Sequence, residues 1–122
     1  MTTNQLPGTD VYGYLATDAW LQINIGRNVG GTPMPDYIWQ EFQDRIISAL
    51  VRYANANPND IMSTVGTGPW GDGREECASF GVFARKGFDI ELFRDWLALT
   101  AARFDQESIA LMVGGELIHA TA

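Results

Sequence analysis

Apolar and polar positions follow two distinct periods along this chain. In WLQINIGR, Leu21, Ile23 and Ile25 alternate with Gln22 and Asn24, the period of a half-buried strand. Gly30 and Gly31 then permit a tight exit from that strand. From Pro35 the period lengthens: Trp39, Phe42, Ile46, Leu50 and Tyr53 recur at three and four, so a helix with one buried stripe runs to near Asn55, short of Pro58. Pro35 suits a first helical turn and Asp36 the positive end of the helix. IMSTVGT reads as a second strand, TGPWGDG as a turn, and EECASFGVFAR as a third strand. On that strand Ala78, Phe80, Val82 and Ala84 share one face. Cys77, Ser79, Gly81 and Phe83 share the other, which is apolar enough to be covered by another subunit. Asp89 is placed to cap a second helix, with Phe88 and Phe93 at the spacing of a hydrophobic staple. Phe93, Trp96, Leu97, Thr100 and Phe104 make its stripe. SIALMVGGELIHATA closes the chain as a strand interrupted at Gly114-Gly115, either by a bulge or by a hairpin turn.

The order β-α-β-β-α-β predicts an α+β fold: a ferredoxin-like sandwich, with an antiparallel sheet and two helices on one face. A five-stranded sheet is the alternative if Gly114-Gly115 splits the last strand. Residues 1–16 carry no period and are expected as a flexible N-terminal arm, with Tyr12 and Tyr14 as docking points. Residues 17–122 are expected as a single domain.

Composition narrows the function. A length of 122 residues suits one core. No apolar run approaches the roughly 18 residues of a membrane helix, and MTTNQLPGTD lacks the basic and apolar parts of a signal peptide, so no membrane partner and a cytoplasmic location are expected. Cys77 is the single cysteine and His119 the single histidine, which excludes an internal disulfide and a Cys/His zinc cage. No D-x-D-x-D-G loop occurs, and no cofactor is expected. A net charge of -7 argues against a nucleic-acid polymer as partner but leaves room for one small anion in a local basic pocket.

The ferredoxin-like connectivity brings the end of the first strand, the hairpin between the second and third, and the start of the fourth to one edge of the sheet. The candidate ligand-binding residues are therefore Arg27, Asn28, Trp70, Arg74, Glu76, Gln106 and Glu107. Arg27 and Arg74 would neutralise phosphate, Trp70 would stack on a base, and Asn28, Gln106 and Glu107 would hydrogen-bond to ribose or base. Trp39 would complete the wall or belong to the core. Each assignment has a structural alternative: Trp70 as a lid over the sheet edge, and Arg27 and Arg74 as surface partners of Glu75, Glu76 or Glu107. Glu75 and Glu76 do not form a catalytic dyad, because adjacent strand residues point to opposite faces. Cys77 reads as packed and not nucleophilic.

INIGR with its glycine loop, YIWQEF, GTGPWGDGREE and RFDQESIAL, over about residues 20–113, resemble a group of short uncharacterised bacterial and phage proteins. Those share a strand ending in G-R, a helix with W-x-x-F, a G-x-W turn and F-x-Q-x-S before the last strand. Their third strand opens E-x-S, whereas Glu75 is followed two places on by Cys77. More distantly, the layout resembles the phage sponges that sequester cyclic ADP-ribose signals of the Thoeris defence system. That resemblance implies a nucleotide-like small-molecule ligand, a homo-oligomer, no catalysis and, for a phage-encoded chain, the host cytoplasm. The alternatives are a small isomerase or hydrolase using Glu76 or Glu107 as base, and a structural assembly protein without a ligand.

Overall fold

The computed structural model of the chain describes residues 8–70 and 73–122, with Trp70 described by its backbone alone. The elements run β1 (Ala19–Gly26), β2 (Asn28–Val29), β3 (Thr32–Pro33), α1 (Asp36–Tyr53), a 3-10 turn (Pro58–Asp60), β4 (Met62–Trp70), β5 (Gly73–Ala84), α2 (Ile90–Arg103), β6 (Ser108–Val113) and β7 (Glu116–Thr121). Five strands form one sheet in the order β4-β5-β1-β6-β7. Every neighbouring pair is antiparallel. Without β7 this is the ferredoxin-like order. Gly114 and Gly115 take φ of 58° and 92° and turn β6 into β7, so the sheet has the fifth strand of the alternative reading.

Strand periodicity sorts the sheet into two faces. Leu21, Ile23 and Ile25 on β1 and Ala78, Phe80, Val82 and Ala84 on β5 are buried on the helical side, with Ile109, Leu111 and Val113 of β6. Against them pack Phe42, Ile46 and Leu50 of α1 and Phe93, Leu97 and Ala101 of α2. Phe42 is fully buried and stacks on Phe104, ring centroids 4.5 Å apart. Asp89 caps α2 by accepting the Leu92 N–H at 3.0 Å, and the staple closes with the Phe88 and Phe93 rings 5.5 Å apart.

Among the described residues the opposite face carries no helix. At its centre Gln22 donates to Ser79 Oγ at 3.0 Å and Ser79 donates to Asn24 Oδ1 at 2.5 Å. Exposed apolar side chains lie towards its perimeter: Trp20, Met62, Phe83 and Leu117.

Two stretches differ from the sequence expectation. TGPWGDG, expected as a turn, belongs largely to paired strands, because β4 and β5 remain in register out to Trp70 opposite Gly73. Pro69 is tolerated there because β4 is an edge strand and needs no second ladder. Residues 8–16, expected as part of an arm, pack onto the start of α2. Leu15 is 1% exposed, donates its N–H to Phe88 O at 2.8 Å and accepts from Gly87 N at 2.9 Å. Leu15 anchors this segment by burial, Gly13 O and a Tyr14–Asp89 main-chain bridge add to the contact, and the side chains of Tyr12 and Tyr14 remain exposed. Residues 1–7 lie outside the described part.

Helix α2 ends in a left-handed turn. Gln106 N–H reaches back to Ala101 O at 2.8 Å and Asp105 N–H to Ala102 O at 3.2 Å, a Schellman closure in which Asp105 takes a φ of 55°. Glycine is the usual occupant of that position. Asp105→Gly is therefore expected to stabilise the fold by about 0.5–1 kcal/mol, read as a rise in melting temperature.

Candidate ligand-binding site

At the end of β1 the chain changes from sheet to loop, and the helix-facing position falls on Arg27. Its guanidinium donates to Met34 O at 2.7 Å, to Glu76 Oε1 at 3.0 Å and to Asp36 Oδ1 at 2.5 Å. The hydrogen bond to Asp36 first, and that to Glu76 after it, hold Arg27 above its ordinary range, against the opposing effect of burial. Glu76 also accepts the Trp39 indole N–H at 3.1 Å. Strand parity explains the grouping: Glu76 lies on the helical face with Ala78 and Phe80, where Arg27 and the start of α1 meet it. Arg27 and Glu76 thereby tie β1, β5 and α1 together.

Glu75 has the other parity. Its carboxylate lies across Gly26, where an added Cβ would sit 2.5–2.7 Å from the carboxylate atoms. From there Oε2 accepts the Asn28 N–H at 2.8 Å. Asn28 in turn offers its carbonyl to Gln106 Nε2 at 3.0 Å. Arg27, Asn28, Glu75, Glu76 and Gln106, all of which the connectivity brings to this edge, are linked there by hydrogen bonds. Arg74 turns elsewhere, donating to Thr67 Oγ1 at 3.1 Å and Thr67 O at 2.8 Å on β4. Glu107 is exposed beside Gln106. The backbone of Trp70 ends β4, and the role expected of its side chain lies outside the described part of the structure.

Two clefts open at this end. A polar one of about 290 Å³ is lined by Asn28, Gly30, Asp105, Gln106, Glu107 and Ser108. An apolar one of about 410 Å³ is lined by Val29, Pro33, Met34, Ile38 and Phe104 among others. Asp105 borders both. Asp105 and Glu107 line the polar cleft, and no Lys or Arg is among the described lining residues of either. The region accordingly favours a neutral or positively charged ligand over a phosphate. Cys77, next along β5, is not an activated nucleophile: burial first, and the charge of Glu75 second, push its thiol up.

The connectivity also brings Glu75 to this edge, and Gly26 marks its close approach, since an isolated glycine ending a strand leaves room for a neighbouring side chain. Nothing local announced Asp105, whose placement depends on how α2 ends.

No helix among the described residues is long and apolar enough to cross a membrane. Comparison of the sequence with protein-family models and with curated proteins gives no match. Among solved structures the fold is similar to that of phage SAM lyase in complex with S-methyl-5'-thioadenosine, with a TM-score of 0.54 and 20% identity over 100% of this chain and 97% of that one. It is also similar to phage SAM lyase in the apo state, with a TM-score of 0.59 and 20% identity over 93% of this chain and 94% of the other. At this identity the likeness establishes a shared α+β fold across the whole chain.

Proposed function

We propose that this chain binds a small adenosine-type nucleoside bearing neutral or positively charged sulfur at the paired clefts beside Asn28, Gln106 and Glu107. The excess of carboxylates around a polar cleft that adjoins an apolar one carries this reading. Hydroxyl and amino groups of a nucleoside find acceptors in the polar part, and a thioether or its methyl group finds the apolar part. The solved complex of the similar fold with S-methyl-5'-thioadenosine supports this ligand class. The phosphate first assigned to Arg27 and Arg74 fits less well, because Arg27 is engaged by Asp36 and Glu76 and Arg74 by Thr67.

Holding the ligand without turnover is the sequestering, anti-defence role that the sequence resemblance implies for a phage protein. A second reading, cleavage of a carbon–sulfur bond in a sulfonium nucleoside, draws on Glu75. Its carboxylate, held by the Asn28 N–H, would act as a base: it takes a proton from the carbon next to the C–S carbon, the C–H pair forms a C=C bond as the C–S bond breaks, and the C–S pair leaves on the neutral thioether.

Calorimetric titration with S-methyl-5'-thioadenosine and S-adenosylmethionine tests both readings. Saturable binding of either compound, not displaced by ADP-ribose, is the expected result. Absence of heat for both would remove the proposal. Chromatography of the S-adenosylmethionine sample afterwards separates the two roles: intact ligand means sequestration, and products mean an enzyme.

A further inference from the structure

A further cleft among the described residues lies at the opposite end of the sheet. It has a volume of about 610 Å³, within the range of small-molecule sites. One wall is the aromatic pair Trp20 and Phe83, directly opposite each other on β1 and β5 and on the face without helices. They are 39% and 53% exposed. The indole is seated over Gly81, where any Cβ would collide with it. Arg85 and Lys86 continue the same wall.

Neither of those two cations has a carboxylate partner, a condition shared among the described residues with Arg52, Arg74 and Arg103. Acids outnumber bases fifteen to eight, and Arg27, Arg45 and Arg94 each find a carboxylate partner. Among the described residues neither Arg85 nor Lys86 makes a side-chain hydrogen bond or ion pair, though they are neighbours of like charge. Asp18 is near, but its carboxylate accepts the Lys86 main-chain N–H at 2.7 Å. The facing wall comes from the loop after α1. It presents Asn55, held at a φ of 52°, and Asn57, whose oxygen caps the 3-10 turn and leaves its amide N–H groups free. Asp60 is the one carboxylate among the described lining residues.

We infer that this cleft binds a nucleoside phosphate, with the base stacked on Trp20 and Phe83 and the phosphate held by Arg85 and Lys86. The four groups match the parts of such a ligand. A half-exposed aromatic pair offers a stacking surface for a planar ring. Two cations free of carboxylates supply charge-assisted hydrogen bonds to phosphate oxygens. The asparagine amides donate to the base edge, and Asp60 accepts from a ribose hydroxyl. A second copy of the chain is a poorer occupant, because a two-fold contact through this corner would bring the cations of both copies together. The inference is independent of the ligand proposed for the clefts at the other end and uses none of their residues.

The test is calorimetric titration of the protein with ADP at low salt, with adenosine and inorganic pyrophosphate as partial ligands. ADP is expected to bind at one site and to quench Trp20 fluorescence, with adenosine and pyrophosphate each at least roughly tenfold weaker. The double variant Arg85→Ala/Lys86→Ala, which changes two exposed side chains, is expected to lose roughly ten- to hundredfold in ADP affinity while its melting temperature holds. Gly26→Val, which alters the opposite end, is expected to leave ADP binding unchanged. No heat with ADP up to roughly 1 mM overturns the inference. Equal affinity in the wild type and the double variant overturns it as well. A flat ADP titration of a protein whose mass by light scattering falls on Phe83→Glu assigns the corner to a second copy instead.

Discussion

Replacing Phe42 with alanine is expected to destabilise the fold by about 3–5 kcal/mol, near the top of the range for a single substitution. The side chain is fully buried, so the variant forfeits its whole transfer free energy. It also leaves a cavity that the sheet cannot close. Phe104 stacks on one side at 4.5 Å, and Trp39 meets the ring edge-on at 6.1 Å. Both neighbours are held independently, Trp39 by its bond to Glu76 and Phe104 at the end of α2. They cannot both collapse into the void without breaking those ties. For a domain of this size the melting temperature should fall by roughly 10–20 °C. A fall of only a few degrees would show that the α1–α2 contact is plastic. Phe42→Leu, which retains most of the volume, should recover much of the loss.

Gly26→Val is expected to weaken nucleoside binding by roughly ten- to hundredfold with little change in stability. The new side chain would occupy the space of the Glu75 carboxylate, which an added Cβ already meets at 2.5–2.7 Å. Glu75 must then leave Asn28, and the loop carrying Asn28 loses the bond that sets its place beside Gln106. Valine is otherwise favoured in a strand, so the backbone should tolerate it. Glu75→Gln separates position from charge. If the carboxylate acts on a sulfonium, the amide should weaken S-adenosylmethionine far more than the neutral S-methyl-5'-thioadenosine. Equal losses for both would mean that Glu75 only positions the loop. Unchanged titrations in Gly26→Val would place the ligand elsewhere.

The layout of the fold was legible because the hydrophobic periods are clean. The stripe from Trp39 to Leu50 and the alternation from Leu21 to Ile25 each admit one element type, and Asp89 with Phe88 and Phe93 marks the second helix start. Gly68 and Pro69 misled because turn formers also occur in an edge strand, which has fewer backbone bonds to satisfy, and Gly73 because it lies on β5 beyond the last residue paired with β1. Leu15 was hidden by its surroundings: one apolar residue among turn formers has no period, and its burial depends on a groove made by residues more than seventy positions away. At the candidate site, connectivity predicted which residues meet. It did not predict which of their hydrogen-bonding groups would already be used. That depends on the parity of Glu75 and Glu76 against Gly26 and Arg27, and on the angle at which α1 leaves the β2–β3 hairpin.

The position of β1 has a consequence for how the protein is made. It is synthesised first among the strands of the sheet, yet it is the central one, and its two neighbours are β5 and β6. Leu21 must wait for Val82 on one side and for Val113 on the other. At ribosomal speeds of about 5–20 residues per second, that leaves an apolar strand without either partner for several seconds, and without the second for longer still. The nascent chain therefore carries its central apolar strand unpaired until the last third of the chain has been made.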